Sequence, residues 1–266
     1  MSAEPTVTDP VVQACELTVG YDREPVLTGV DLVVPRGRIT ALIGANGCGK
    51  STLLKTVSRV LPSAAGSVLL DGREIAGFPR RDLARRLASL PQSPIAPEGL
   101  TVRELVRFGR HPHRGFGGRL RSEDDDAVAA AMRDAGMEDL ADRPVDSLSG
   151  GQRQRAWIAM ALAQQTPVLL LDEPTTYLDI AHQTEVLGLL RRLNREQGRT
   201  IVMVLHDLNQ AARYAHHVIA VGEGRVMAAG APAEVIVTET VERVFGLACT
   251  VVPHPVDGSP LCLPLD

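Results

Sequence analysis

The sequence predicts an α/β protein: a mostly parallel sheet wrapped by helices, preceded by a small antiparallel β subdomain and interrupted by a helical insertion. Three observations carry this. The stretches "ITALIG", "PVLLLDEP" and "TIVMVLHDL" are short apolar runs bounded by breakers, as expected of strands buried on both faces. Each leads into sequence of helical pattern, "KSTLLKTVSRVL", "DIAHQTEVLGLLRRLNREQG" and "NQAARYAHH", and that alternation argues for parallel strands joined through helices. Between the first and second runs, residues 93–165 have a mainly helical pattern with no strand of comparable strength.

Taken in order, "ACELTVGY" and "GVDLVVPRGRITALIG" alternate or run apolar with β-branched residues and are separated by turn chemistry, which gives the β-rich start. The expected organisation is one domain over 1–266, with an α/β core at 11–92 and 166–266 and the inserted helical subdomain at 93–165. Within the insertion, "RSEDDDAVAAAM" reads as a helix start with Ser122 as N-cap and acids in the first turn, where the helix dipole favours them. Near the end, "VIAVGEGRVMAAG" has the form of a hairpin with Gly at its turn. No internal repeat or low-complexity tract is present.

Composition narrows the function classes. A formal net charge of −4 gives no general attraction to nucleic acid or to an anionic membrane surface. The opening "MSAEPTVTDP" is polar and acidic, unlike a secretory signal. No apolar run approaches the roughly 18 residues of a membrane span. Cys15, Cys48, Cys249 and Cys262 are scattered without paired metal spacing. The expectation is a soluble chain in a reducing compartment; if it works at a membrane, another chain supplies the spans.

"GANGCGKS", Gly44 to Ser51, satisfies G-x-x-x-x-G-K-[ST], with the required strand before it and helix after it. The glycines let successive N–H groups turn inward as a nest, and the helix start adds its positive dipole end. Ala45, Asn46, Gly47, Cys48, Gly49 and Thr52 complete the phosphate-binding stretch. Lys50 brings a full charge to β- and γ-phosphates, and the Ser51 hydroxyl can ligate Mg²⁺.

The end of the second apolar run, "VLLLDEP", places Asp172 where a carboxylate is costly unless it is paired or near a cation, which suits Mg²⁺. Glu173 follows, positioned to polarise an attacking water. His206 ends "TIVMVLH" and so sits at the same sheet edge, the carboxyl edge at which open α/β sheets bind ligands. Gln92, in "LASLPQSP", passes by itself as a loop glutamine. "LSGGQ" poses a puzzle. Ser149 and Gln152 are spaced as a capping box. Gly150 and Gly151 then occupy a first helical turn, at a cost of up to ~1 kcal/mol each against alanine.

Together "GANGCGKS", "LPQS", "LSGGQ", "VLLLDEP", "YLDI" and "VLHD" occur in the order found in ATP-binding cassette (ABC) ATPases, and the chain resembles that family along essentially its whole length. The resemblance implies a P-loop NTPase core with ATP and Mg²⁺ as ligands. It implies that Ser149, Gly150, Gly151 and Gln152 contact the γ-phosphate of ATP held on another copy's phosphate loop, so that two chains close around two nucleotides. It further implies that Tyr21 stacks on adenine, that Gln92 reaches Mg²⁺ and the attacking water, that Asp179 lies at the dimer interface, and that His206 contacts the γ-phosphate. The catalytic set is then Glu173, His206, Gln92 and Lys50, with Ser51, Gln92 and Asp172 serving the metal.

"GLTVRELVRFGRHPHRG", "TTYLDIAHQTEVL" and the tail "VVPHPVDGSPLCLPL" are similar to ATPases of iron–siderophore importers, with relatives for haem and cobalamin. The resemblance implies a peripheral subunit on the cytoplasmic face of the cell membrane. Its partners would be a second copy of itself, transmembrane permease subunits and, indirectly, a substrate-binding protein, with no nucleic acid. The alternatives are a haem or cobalamin importer, or a non-transport ABC ATPase. A chromosome-maintenance ATPase would carry a long coiled coil where this chain has a short helical insertion. His111 and His113 are read as a solvated stretch near the partner, for want of a third metal ligand. The adjacent His216 and His217 are read as helical and given no role.

Overall fold

The computed structural model describes residues 9–22, 24–114 and 122–265. They pack as two compact units, one formed by the chain up to Phe78 together with that from Thr200 onward, the other by Pro79–Arg199.

In the first unit, β1 (Pro10–Tyr21) pairs antiparallel with β2 (Glu24–Pro35) in a hairpin that closes at Tyr21 opposite Glu24. Gly20 is required there, because a side chain would run into the Glu24 carbonyl. Leu17, Val19, Leu27 and Val30 are buried, and each such side chain contributes roughly 1.5–3 kcal/mol by leaving water. Next come β3 (Ile39–Ile43), buried at all five positions, and α1 (Lys50–Val57). Then β4 (Ala65–Leu70) and β5 (Arg73–Glu74) complete a sheet of order β2-β1-β4-β5. This is the antiparallel β subdomain expected from the sequence.

The second unit holds α2 (Arg80–Ala84), β6 (Leu87–Leu90), α3 (Val102–Phe108), α4 (Ser122–Asp134), α5 (Gly150–Ala163), β7 (Val168–Leu171) and α6 (Ile180–Gln197). Strands β6 and β7 run parallel, Leu87 opposite Val168 through Leu90 opposite Leu171. Between Gln92 and Thr166 the described residues form α-helices and short 3₁₀ turns, with one bridge between Thr101 and Pro144 as their only β pairing. Thr101 and Glu104 form a capping box at the start of α3. At its other end Gly109 lies against the Met160 carbonyl of α5, closer than any side chain would permit.

The end of α5 is closed by polar side chains from the α3–α4 connection. The Arg110 guanidinium donates to the Ala163 carbonyl at 2.7 Å, to Gln165 Oε1 at 2.8 Å and to Asp124 at 2.8 Å, and both members of that ion pair are only 5% exposed. His113 Nε2 lies 2.8 Å from the Gln164 carbonyl, and burial pushes its pKa down. The solvated reading of His113 is therefore corrected: it caps helix carbonyls that α5 cannot satisfy itself.

The chain returns to the first unit through β8 (Thr200–Val204), α7 (Leu208–Tyr214), β9 (His217–Gly222) and β10 (Arg225–Gly230). Strand β3 lies between β8 and β9, parallel to both, and β10 folds back on β9 through Glu223 and Gly224, both left-handed. The helical reading of "NQAARYAHH" stops at Tyr214. His216 accepts the Ile39 amide at 3.1 Å through Nδ1, His217 opens β9, and burial pushes both imidazoles' pKa down. After α8 (Pro232–Val235) and α9 (Thr238–Phe245), the tail forms an antiparallel hairpin of β11 (Cys249–Pro253) and β12 (Pro260–Pro264). Asn209 of α7 holds this hairpin, accepting from the Cys262 amide at 2.8 Å and donating to its carbonyl at 3.3 Å. Cys249 and Cys262 are free and buried; desolvation, then the bond to Cys249, pushes the Cys262 thiol up to about 11. No helix among the described residues is long and apolar enough to cross a membrane.

Candidate functional site

The first unit carries Tyr21, the Gly44–Thr52 loop and His206. The loop leaves the carboxyl end of β3 and enters α1 directly. Gly44, Gly47 and Gly49 have φ of 153°, 79° and 106°, the region in which side chains are strained. Each has a different surrounding. A side chain on Gly44 would overlap the Val221 carbonyl, and one on Gly49 would press on Leu27 and Val26, whereas the space around Gly47 is open. Two glycines thus seat the loop on the sheet, and the third faces outward. No side chain caps α1, whose N-cap is the left-handed Gly49.

Lys50 is buried, and its ammonium donates to the Gly44 and Ala45 carbonyls at 2.9 Å each, so its charge is held over the loop. A glycine-rich turn, a helix start with no side-chain cap and a fixed cation make a cradle that fits a polyphosphate. Cys48 sits beside the ammonium, with Sγ 3.8 Å from Nζ. His206 is exposed one residue beyond Leu205, whose amide donates to the Leu42 carbonyl of β3 at 3.1 Å. His206 and the loop therefore share the carboxyl edge of neighbouring parallel strands. Tyr21 is 46% exposed at the tip of the hairpin whose Val26 and Leu27 lie beneath Gly49.

The second unit carries Gln92, Ser149–Gln152, Asp172, Glu173 and Asp179, and it joins them in two groups. In the first, Asp172 is buried at the end of β7, with its amide donating to the Leu90 carbonyl at 2.9 Å. Glu173 has a left-handed backbone, φ 52°, which is strained for a residue with a side chain. Its Oε2 accepts from Gln92 Nε2 at 2.6 Å and from the Thr176 hydroxyl at 2.9 Å. The carboxylate is thus aimed by two donors. Gln92 was expected near this group; Thr176 was not, and its spacing of three from Glu173 is the signal that identifies it in retrospect.

In the second group, Ser149 caps α5, accepting from the Gln152 amide at 3.3 Å while Gln152 Oε1 accepts from the Ser149 amide at 3.1 Å. Gly150 is exposed and a side chain there would meet only Leu178 and Tyr177 at ordinary contact distance. Gly151 is buried, and a side chain there would overlap the His182 ring. Asp179 caps α6: its Oδ1 accepts from the His182 amide and from His182 Nδ1, both at 2.8 Å. Those two bonds, the amide first, hold the Asp179 carboxyl below the usual carboxylate range. Gln183 fastens the preceding turn through the Leu178 carbonyl at 3.0 Å and the Thr175 carbonyl at 3.4 Å. Next to Asp179, Tyr177 and Ile180 are 90% and 82% exposed. In the sequence "YLDIAHQ" stands out only as a subfamily mark; the tasks of His182 and Gln183 come from contacts in the folded chain. Among the described residues no three or more His, Cys, Asp and Glu side chains form a metal-holding cluster.

Residues 27–176 match the model of the ABC transporter family. The chain is 52% identical to the ferric enterobactin transport ATP-binding protein of Escherichia coli, over 94% of this chain and 92% of that protein. It is 51% identical to the iron(3+)-hydroxamate import ATP-binding protein of Bacillus subtilis, over 94% and 93% respectively. A bacterial ABC transporter cassette solved as a dimer superposes with a TM-score of 0.73 at 28% identity, covering 83% of this chain and 98% of that one. The same cassette is known as a dimer in a post-hydrolysis state bound to ADP and phosphate.

Proposed function

This chain belongs to the ABC transporter family, and on that footing we propose that it is the ATP-hydrolysing subunit of a membrane importer for a ferric siderophore. The observation that carries the substrate class is the identity of about half, along nearly the whole chain, with proteins named for ferric enterobactin and iron(3+)-hydroxamate import. The observation that carries the chemistry is the aimed Glu173 carboxylate at the end of a buried strand.

In this reading the Gly44–Thr52 cradle binds the polyphosphate of ATP, with Lys50 turning from loop carbonyls to phosphate oxygens, and Tyr21 stacks on the base. Glu173 orients the attacking water and accepts its proton as the bond between the γ-phosphorus and the leaving oxygen breaks. Gln92 and Thr176 keep the carboxylate from swinging away. His206, on the loop's side of the sheet, supports a contact to the γ-phosphate. Mg²⁺, when bound, neutralises charge on the phosphates. The Ser51 hydroxyl, the Asp172 carboxylate and the Gln92 amide oxygen are hard oxygen donors that suit it, and a cation that shares its sphere with phosphates and water needs no all-protein cage.

Ser149, Gly150, Gly151 and Gln152 and the Asp179 turn form the surface offered to a second copy. Two chains close around two ATP molecules and reopen after hydrolysis, driving two transmembrane permease subunits that a substrate-binding protein supplies. The working place is the cytoplasmic face of the cell membrane, held there by the permease. Residues 93–165 act as a helical subdomain inserted between 11–92 and 166–266. The test is uptake by cells carrying this chain with its co-purified permease. Labelled ferric siderophore should enter with energy dependence and stop with the Glu173→Gln chain. Uptake of haem or cobalamin but not of ferric siderophore would replace the substrate.

A further inference from the structure

One side chain connects the Asp179 turn with the start of α5. The His182 amide and ring nitrogen both bind the Asp179 carboxylate, so the ring is fixed on one edge. Its carbon edge lies where any side chain at Gly151 would have to go. Gln183, the next residue, ties down the carbonyls of the same turn. Asp179 and Ser149–Gly150 are exposed, whereas Gly151 is buried and His182 is half-buried, its side chain 35% exposed. A planar ring bonded to Asp179 on one edge and in contact with bare backbone at Gly151 on the other leaves little slack between the two segments.

We propose that His182 is a positioning residue that fixes the Asp179 turn against the first turn of α5 at Gly151, so that these two segments move as one piece. This rests on the reading that both meet the second copy across the nucleotide, and it adds a coupling between them that neither segment supplies alone. The glycine at 151 is then required by His182 of the same chain as well as by any ligand. The glycine at 150 is not constrained in this way, and the open side belongs to the phosphate.

The experiment is a double-mutant cycle on the full chain, comparing ATP turnover of Gly151→Ala, His182→Ala and the combination, with nucleotide binding measured on each. Gly151→Ala should lower kcat about tenfold, the range expected for forcing an extra carbon into a packed contact. Adding His182→Ala should restore most of that loss. His182→Ala alone should lower kcat severalfold and leave ATP affinity of the solitary chain unchanged, and His182→Gln, which can still donate to Asp179, should recover activity. If His182→Ala loses nucleotide binding, and so its fold, Gly151→Ala with His182→Gln makes the same comparison. Losses that simply multiply, or a His182→Ala chain that turns over like the unaltered one, would overturn the proposal. Absence of ATP turnover in the unaltered chain would instead overturn the functional reading beneath it.

Discussion

Glu173 and Lys50 show how much of the chemistry is set by what holds a side chain, beyond its identity. A carboxylate on a surface loop samples many rotamers; Glu173 is limited by a left-handed backbone and by two donors on one oxygen. Lys50 is likewise held, with its ammonium on the two carbonyls that begin the phosphate loop. Lys50→Ala removes a buried charge from the phosphate cradle. Charge-assisted hydrogen bonds are worth about 1.5–3 kcal/mol, so ATP affinity should fall roughly tenfold or more. Equilibrium dialysis checks this, and an unchanged affinity would remove the loop from nucleotide binding. Gly151 carries a further lesson at this scale. Its bareness invites explanation by a ligand, yet the atom nearest the missing side chain belongs to His182 of its own chain.

At the scale of elements, helix α5 is the clearest case of support from a distance. Its N-terminus is closed by its own Ser149 and Gln152, its C-terminus by Arg110 and His113 from another part of the chain. Arg110 and Asp124 are both buried, so Arg110→Ala takes the guanidinium away from a buried carboxylate and uncaps the helix. That change should destabilise the second unit by about 3–5 kcal/mol. Thermal unfolding of the full chain would show it as a large fall in Tm, and a shift of a degree or two would mean that water enters the site freely. The first turn of α5 was legible in the sequence because a capping box is local. Its last turn was not, since nothing near Ala163 announces an arginine more than fifty positions earlier. The same division holds elsewhere. Strands β3, β7 and β8 declared themselves by unbroken apolar runs, and the phosphate loop by glycine spacing. The switch from helix α7 to strand β9 at His216 was missed because its cause, the bond to the Ile39 amide, lies across the sheet. The β11–β12 hairpin was also missed, being held by Asn209.

For the molecule as a whole, the proposed cycle needs more than one chain. The phosphate cradle and the Ser149–Gly150 start of α5 are unlike surfaces, and in the proposed cycle each nucleotide touches both, one from each copy. Pairing then depends on ATP and on protein concentration, because a nucleotide held in one chain's cradle gains its remaining contacts only when the second chain closes on it. Exposed Tyr177 and Ile180, beside Asp179, suit burial in such a pair. The dimeric cassette that this chain resembles in fold supports the same picture. The most direct measurement is sedimentation velocity of the Glu173→Gln chain with ATP and Mg²⁺, across a range of protein concentrations. A dimer with ATP and single chains without it are the expected result; a Glu173→Gln chain that binds ATP yet sediments as a monomer at every concentration would rule out the shared nucleotide.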